Sequence, residues 1–354
     1  MPSLTVLDAV GTPEFVDSLR AAWDRGDAVL PLDPRLPPPA RADVLQAARV
    51  HEPVAEGDAL VMPTSGTTGG AKAAVLTHEA IRAAALAVSR RMEVEPGRDR
   101  WLACLPVAHI GGMAVVVRAL LTGTHLDLHA AFDPDAVNAS GATLTSVVPT
   151  MLNRGVRPEL FRMVLVGGDA DRRERGPSVV HTYGMTETVG GIVHRGRPVD
   201  GVEVRTDADG QLHVRGPVTL RCYRDGTDPK DAEGWLPTGD LGAVVDGEIQ
   251  VHGRMSDVIV TGGEKVLPAR VEQALLHHPD VKEVAVAGEP DAEWGQRVVA
   301  WVVARRPGAP PTLASLREVT KETLPAYCAP KDMVLVAELP KTPLGKTWRA
   351  ALCR

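Results

Sequence analysis

The sequence predicts an α/β protein in two parts. One is a large N-terminal domain of mixed, mostly parallel sheets with helices plus a small β-barrel-like subdomain; the other is a small α+β C-terminal domain. Three textures along the chain predict this. Up to about residue 198, short apolar runs that end in turn residues alternate with helix-compatible stretches, the pattern of strands covered by helices. Segments 202–205, 211–215, 242–246 and 248–252 alternate polar and apolar residues around Gly-containing turns, as hairpins or a small barrel do. From residue 256, helix and strand signals make a compact unit of common domain size. The domains are therefore expected at 1–255, with 198–255 barrel-like, and at 256–354.

The elements follow in order. Residues 1–58 are Pro- and Ala-rich and should hold one or two helices. Leu36-Pro37-Pro38-Pro39 should be loop or polyproline, because proline lacks the backbone donor. The apolar run 59–62, the Gly/Thr-rich segment 64–70 and the Ala-rich helical stretch 78–92 read as strand, glycine loop and helix, the layout of a phosphate-handling turn. Further strands are expected at 100–105, 144–148, 163–166 and 179–181, with a helix over 113–121 between them. The C-terminal unit reads as helix 268–278, strands 281–287 and 297–304, helix 312–323 and strand 332–336, with 305–311 a loop.

Composition narrows the function. The chain has 354 residues, of which 44% are hydrophobic, enough for a substantial core. A net charge of −6 provides no basic field for nucleic acid. The four cysteines, Cys104, Cys222, Cys328 and Cys353, form no C-x-x-C pair and match neither a disulfide framework nor a zinc site, which fits a reducing compartment. The first ten residues carry Asp8 and no basic stretch, unlike a signal peptide. The apolar run 113–117 is broken by Arg118, far short of the ~20 residues of a membrane span. A cytoplasmic protein without membrane insertion is expected.

Five segments carry chemistry. In Thr64-Ser65-Gly66-Thr67-Thr68-Gly69-Gly70-Ala71-Lys72, glycines allow close approach to an anion, hydroxyls donate and Lys72 brings positive charge, so the loop could wrap the β/γ-phosphates of a nucleotide. It is not a Walker A loop, since Lys72 lies between Ala71 and Ala73. Tyr183-Gly184-Met185-Thr186-Glu187-Thr188 follows a strand-like run and so falls at the ligand edge of an open sheet; Tyr183 offers a face to a purine, Thr186 a hydroxyl and Glu187 a hard oxygen for Mg2+. Asp240 in Thr238-Gly239-Asp240 and Arg254 in Gly253-Arg254-Met255-Ser256-Asp257 could both bond a ribose. Pro340-Lys341-Thr342-Pro343-Leu344-Gly345-Lys346 fixes a loop that presents Lys346. Singly, each segment could be a surface loop, a hairpin turn, an ion pair or a frayed tail.

Jointly and in this order, the segments resemble the adenylate-forming superfamily of acyl-CoA synthetases, carrier-protein adenylation domains and luciferases, from about residue 58 to the end. The resemblance implies ATP, Mg2+ and coenzyme A. It implies that residues 64–72 (Thr64, Ser65, Gly66, Thr67, Thr68, Gly69, Lys72) close over the β/γ-phosphates. Gly167, Gly168 and Asp169, with Tyr183 and Gly184, would hold adenine; Thr186 would meet the α-phosphate, Glu187 the metal, and Asp240 and Arg254 the ribose. His109, in Leu105-Pro106-Val107-Ala108-His109-Ile110-Gly111-Gly112, matches the gate of acyl-CoA ligases, although a helix-capping histidine is the plain alternative. Lys346 would bridge the attacking carboxylate and the α-phosphate, offsetting repulsion between two anions. The family's small domain rotates between half-reactions. Ser256 would be the pivot, and the loop carrying Gly262 and Gly263 would border the coenzyme A tunnel in the second orientation. A homodimer through the large domain is also implied.

The short N-terminal region and stretches such as Trp101-Leu102-Ala103-Cys104-Leu105-Pro106 and Thr188-Val189-Gly190-Gly191 further resemble the compact o-succinylbenzoate–CoA ligases of actinobacterial menaquinone biosynthesis. That resemblance implies an acyl pocket with room beside Gly190 and Gly191, and with His109 or Thr188 bonding the substrate's second carboxylate. Two alternatives stay open at this point: a ligase for another aryl or short acyl acid, and an adenylation enzyme that loads a carrier protein. A catalytically silent protein on this fold fits less well, because Lys72, Glu187, Asp240, Arg254 and Lys346 are all present.

Overall fold

The computed structural model describes residues 1–65, 71–168, 175–341 and 347–352. Two compact units emerge. The first comprises Met1–Asp207, His213–Thr238 and Val244–Ile249; the second comprises Ala208–Leu212, Gly239–Ala243 and Gln250–Arg354.

The first unit contains two sheets. One has the order Leu4–Asp8, Ala28–Leu32, Asp58–Ser65, Ala71–Thr77, Cys222–Tyr223. Its first three strands run parallel, Asp58–Ser65 and Ala71–Thr77 form an antiparallel hairpin, and Cys222–Tyr223 runs antiparallel to Ala71–Thr77. Residues 73–77, to which the sequence assigned no element, belong to the strand Ala71–Thr77: Ala73, Ala74, Val75 and Leu76 are all buried, which suits a sheet interior. The helix that follows, His78–Arg91, begins where Thr77 caps it by accepting from the Ala80 N–H at 3.1 Å. Pro38 and Pro39 are not in a loop but open the helix Pro38–Ala47, where a missing N–H is no loss and a fixed φ suits the first turn. The N-terminal region holds two helices, as expected, and also the strands Leu4–Asp8 and Ala28–Leu32.

The second sheet has seven strands in the order Arg197–Pro198, Gly190–His194, Val179–Met185, Met163–Val166, Leu144–Val147, Arg100–Ala103, His125–Leu128. The last five are mutually parallel; four of them were expected from their apolar runs, and His125–Leu128 was not. Their carboxyl ends therefore share one edge, the usual ligand edge of open α/β sheets. At the opposite end, Asp99 anchors the start of Arg100–Ala103. Its carboxylate accepts from Arg162 Nε and Nη2 at 2.9 Å each and from Thr143 Oγ1 at 3.0 Å. Burial pushes the Asp99 carboxyl upward, but these bonds and Arg98 more than offset it and hold it well below the ordinary range.

The barrel-like subdomain is half a barrel, a four-stranded sheet ordered Glu203–Thr206, Gln211–Arg215, Leu236–Val245, Glu248–Arg254, whose strands are shared between the units. The rest of the second unit is α+β. Its sheet runs Glu264–Val266, Ile259–Thr261, Gly295–Ala304, Val281–Asp291, with Asp332–Leu335 parallel to Gly295–Ala304. Helices Pro268–Leu275 and Leu313–Thr323 accompany it, and Val271, Leu275 and Leu316 join Val286, Val298 and Ala300 in one buried cluster. Among the described residues, no helix is long and apolar enough to cross a membrane.

Candidate active site

The two ends of the segment Thr64–Lys72 lie in the paired strands Asp58–Ser65 and Ala71–Thr77. Thr64 stands opposite Lys72 and Ser65 opposite Ala71, so both ends of the loop are set by one antiparallel ladder. Gly66, Thr67, Thr68 and Gly69 lie outside the described residues. The Lys72 ammonium sits over the ring of Tyr223, 5.0 Å from its centroid. The Tyr223 hydroxyl donates to Glu187 Oε1 at 3.0 Å. The structure thus brings Lys72 and Glu187 to one phenol ring, which the sequence motifs did not single out. The available signal was weak: Tyr223 is one of three tyrosines, in a two-residue strand.

Thr186-Glu187-Thr188 forms a single 3-10 turn at the carboxyl end of Val179–Met185. Val189 follows with φ +57°, a left-handed conformation that is strained for a β-branched residue. Thr188 holds the turn. Its hydroxyl accepts from the Met185 N–H at 3.0 Å and lies 3.1 Å from the Met185 carbonyl and 3.0 Å from the Gly190 carbonyl. With its hydroxyl engaged inside the turn and its side chain buried, Thr188 positions the turn rather than facing a substrate carboxylate. Glu187 is also buried. Among the described residues, no group of three or more His, Cys, Asp or Glu could hold a metal ion. One carboxylate near a lysine suits Mg2+, which keeps waters and binds mainly through substrate phosphates. Glu187 is the residue that would hold it.

Gly167 and Gly168 leave the end of Met163–Val166, and Asp169 lies outside the described residues. A Cβ on Gly167 would come 2.9 Å from Thr182 Oγ1, and one on Gly191 would come 2.8 Å from the same oxygen. The Thr182 side chain therefore occupies the space both glycines leave, and its hydroxyl donates to the Val166 carbonyl at 3.3 Å. A Cβ on Gly184 would fall on the Gly190 carbonyl. Gly184, Gly190 and Gly191 thus permit close pairing of two antiparallel strands, and the room beside Gly191 expected for substrate is filled by Thr182. Tyr183 lies on the same strand, half-buried, at the edge Gly167 reaches.

His109 occupies the N-cap position of the helix Ile110–Thr122, yet its side chain makes no capping bond. Position 190 at φ +93° packs against Ile110 and Ala114, with a Cβ placed 3.8 and 3.6 Å from their side chains. Ile110 and Ala114 share a helix face with Arg118, two turns on. Arg118 is 4% exposed, and among the described residues no carboxylate pairs with it. Its guanidinium lies 5.7 Å from the Trp101 ring centroid, and burial pushes its pKa down to about 10. His194, at the far end of Gly190–His194, is 4% exposed, and neither ring nitrogen has a hydrogen-bond partner among the described residues; the Trp101 Nε1 is likewise unpartnered. Burial first, then the Arg118 charge, push the His194 pKa down to about 4. Sequence reading noted Arg118 only as a break in an apolar run; its burial without a counterion is a tertiary fact.

In the second unit, Arg254 Nε pairs with Asp240 Oδ1 at 3.0 Å; Asp240 is buried and Arg254 half-exposed. Gly239, at φ +73°, lets the chain turn beside this pair, and its N–H donates to Gln211 Oε1 at 3.0 Å. Ser256 lies exposed in the 3-10 turn Met255–Asp257, its hydroxyl donating to Asp257 Oδ1 at 3.2 Å. Gly262 and Gly263 form the turn of the hairpin Ile259–Thr261/Glu264–Val266, with φ +59° and +86°, which two-residue hairpin turns of this hand require. Lys346 lies outside the described residues.

Comparison with known proteins identifies the family. Residues 47–224 match the family described as AMP-binding enzyme, and residues 270–346 match the AMP-binding enzyme C-terminal domain. A Mycobacterium tuberculosis protein named "Probable 2-succinylbenzoate–CoA ligase" is 39% identical over 345 residues, covering 90% of this chain and 89% of the relative. The 2-succinylbenzoate–CoA ligase of Geobacillus kaustophilus is 35% identical over 339 residues, 84% of this chain and 69% of the relative. The o-succinylbenzoate coenzyme A synthetase of Bacillus subtilis, solved with ATP and magnesium ion, superposes with a TM-score of 0.85 at 27% identity, covering 99% of this chain and 89% of that chain. The same Bacillus protein has been solved with its acyl-adenylate intermediate, with a TM-score of 0.84, 27% identity and coverage of 99% and 88%. The chain belongs to the AMP-binding enzyme family and, within it, to the 2-succinylbenzoate–CoA ligases.

Proposed function

We propose that this protein joins o-succinylbenzoate to coenzyme A through an acyl-adenylate. One substrate carboxylate attacks the α-phosphorus of ATP and releases pyrophosphate. The thiol of coenzyme A then attacks the acyl carbon, forming the thioester and releasing AMP. The observation that carries the reading is the meeting of Lys72 and Glu187 at Tyr223, beside the edge where the parallel strands end. Lys72 meets the β/γ-phosphates. Glu187 holds Mg2+, which when bound neutralises phosphate charge. Thr186 donates to the α-phosphate, and Gly167, Gly168, Asp169, Tyr183 and Gly184 receive adenine. Asp240 and Arg254 hold the ribose: Asp240 accepts its hydroxyl hydrogens, and the Arg254 guanidinium, paired with that carboxylate at 3.0 Å, keeps it aimed. Lys346 bridges the two anions during adenylation, and rotation about Ser256 brings Gly262 and Gly263 to the coenzyme A side for the second step.

For the substrate, we assign the second carboxylate to Arg118. The face Ile110–Ala114–Arg118 runs along Gly190–His194, and eight helical residues span about 12 Å. An aromatic diacid laid from the His109 end along that seam would bring its spare carboxylate to a buried guanidinium that no carboxylate pairs with among the described residues. A buried charge in that position is costly until an anion arrives, which favours diacids over apolar acids. Cytoplasmic placement suits the unpaired thiols of Cys104, Cys222 and Cys328, and we assign a homodimer through the large unit, testable by sedimentation.

The test is product analysis with ATP, Mg2+, coenzyme A and o-succinylbenzoate, with benzoate, a medium-chain fatty acid and acetate in parallel. AMP, pyrophosphate and o-succinylbenzoyl-CoA are expected, with little turnover of the other acids. Turnover of another acid alone would discard the substrate, and ADP as product would discard the reaction.

A further inference from the structure

We propose that Tyr223 is a positioning residue for the phosphate end of the site, setting the Glu187 carboxylate through its hydroxyl and the Lys72 ammonium through its ring. Two contacts of one side chain carry this: the hydroxyl donates to Glu187 Oε1 at 3.0 Å, and Lys72 Nζ lies 5.0 Å from the ring centroid. The contacts converge from three separate elements, the hairpin strand Ala71–Thr77, the turn Thr186–Thr188 and the short strand Cys222–Tyr223.

The segment that presents Tyr223 is built to stay in place. The Leu220 N–H donates to the Glu187 carbonyl at 2.7 Å, so Glu187 is held at both backbone and side chain by residues 220–223. On either side, the Arg221 and Arg224 N–H groups donate to the Val75 and Ala73 carbonyls at 2.9 Å each. The Arg221 guanidinium makes two bonds of 2.8 Å to the fully buried side chain of Asp58. Arg224 donates to the carbonyls of Ala48, Arg49, Glu52 and Pro53. A two-residue strand anchored by two arginines is rigid support, and rigid support is what fixes a functional side chain to within a few tenths of an ångström.

The chemistry suits the task. The phenol hydroxyl has a hydrogen to donate, which a carboxylate oxygen can accept. A donor at one carboxylate oxygen fixes the rotamer of Glu187 while leaving lone pairs for a cation. The ring face attracts the ammonium electrostatically and narrows where Lys72 can stand. Both charged groups then keep their places whether or not nucleotide is present, which is preorganisation.

This inference rests on the proposed function only in taking MgATP as a ligand. Calorimetric titration of ATP into wild type, Tyr223→Phe and Tyr223→Leu, with Mg2+ and separately with EDTA, tests it alongside the melting temperature of each protein. Tyr223→Phe keeps the ring and loses the hydroxyl; it should bind ATP about tenfold more weakly than wild type in Mg2+ and equally well in EDTA. Tyr223→Leu should weaken binding in EDTA as well, because Lys72 loses its platform. Wild-type affinity of Tyr223→Phe in Mg2+, or a loss of the same size with and without the metal, would overturn the proposal and leave the ligase reading standing. A wild-type protein that does not bind ATP at all would overturn both.

Discussion

Arg254 Nε lies 3.0 Å from Asp240 Oδ1, joining the strand Glu248–Arg254 to Leu236–Val245 at a point where Gly239 turns the chain. The carboxylate is buried and the guanidinium half-exposed, so the pair is held firmly while one side remains accessible. If this pair receives the ribose, Asp240→Ala should raise the KM for ATP by about tenfold or more, since a charged hydrogen-bond partner is lost. The KM for o-succinylbenzoate should change little. Steady-state kinetics with each substrate varied in turn checks the split; equal changes in both constants would remove the ribose assignment.

Lys346→Ala separates the half-reactions. Adenylation, followed by pyrophosphate release, should fall by about 10²–10³-fold, the usual effect of removing a preorganised charge. Thioester formation from supplied acyl-adenylate should remain close to wild type. Equal loss in both assays would mean that the lysine does not belong to one step only.

Arg118→Leu tests the diacid seam. The variant removes a buried charge that no described carboxylate neutralises, so the fold should tolerate it or gain stability. Its KM for o-succinylbenzoate should rise about 30-fold. Its activity on an analogue lacking the second carboxylate should hold or improve. Unchanged discrimination between the two acids would place the carboxylate elsewhere.

His194 links stability to pH. Its folded pKa of about 4 lies below its ordinary value of 6.5, so the unfolded chain binds the proton more readily. The stabilisation is therefore complete above pH 6.5 and is lost as pH falls towards 4. Between pH 7.5 and pH 5 this one group should lower unfolding stability by about 2 kcal/mol. Urea unfolding at the two pH values measures the loss, and His194→Gln should remove that part of it.

Asp58→Asn tests the anchor between Arg221 and the hairpin Asp58–Ser65/Ala71–Thr77. The Asp58 side chain is fully buried and bonds Arg221 twice, and it also accepts from the Ala55 N–H at 2.9 Å. Losing the charge should lower unfolding stability by about 2 kcal/mol. Thermal unfolding of the variant checks the magnitude.

The sequence by itself determined the α/β class, the parallel strands Arg100–Ala103, Leu144–Val147, Met163–Val166 and Val179–Met185, and the α+β character of the C-terminal unit. It also placed the nucleotide motifs in order along the chain. These are local properties: hydrophobic period, turn residues and short runs of glycines and hydroxyls act within a few residues of one another. The same locality explains why the strand Ala71–Thr77 went unassigned, since its burial on both faces is set by neighbouring strands, and why Pro38 was misread, where only the helix that follows reveals a first-turn position.

Tertiary structure alone decided what meets what. Thr182 fills the space left by both Gly167 and Gly191 because three neighbouring strands align in one register. Arg118 is buried beside His194 because a helix lies along a strand more than seventy residues away. Tyr223 reaches Glu187 and Lys72 because a two-residue strand adds to the strand Ala71–Thr77. Such contacts depend on long-range strand pairing and burial, and no periodicity within a single segment encodes them.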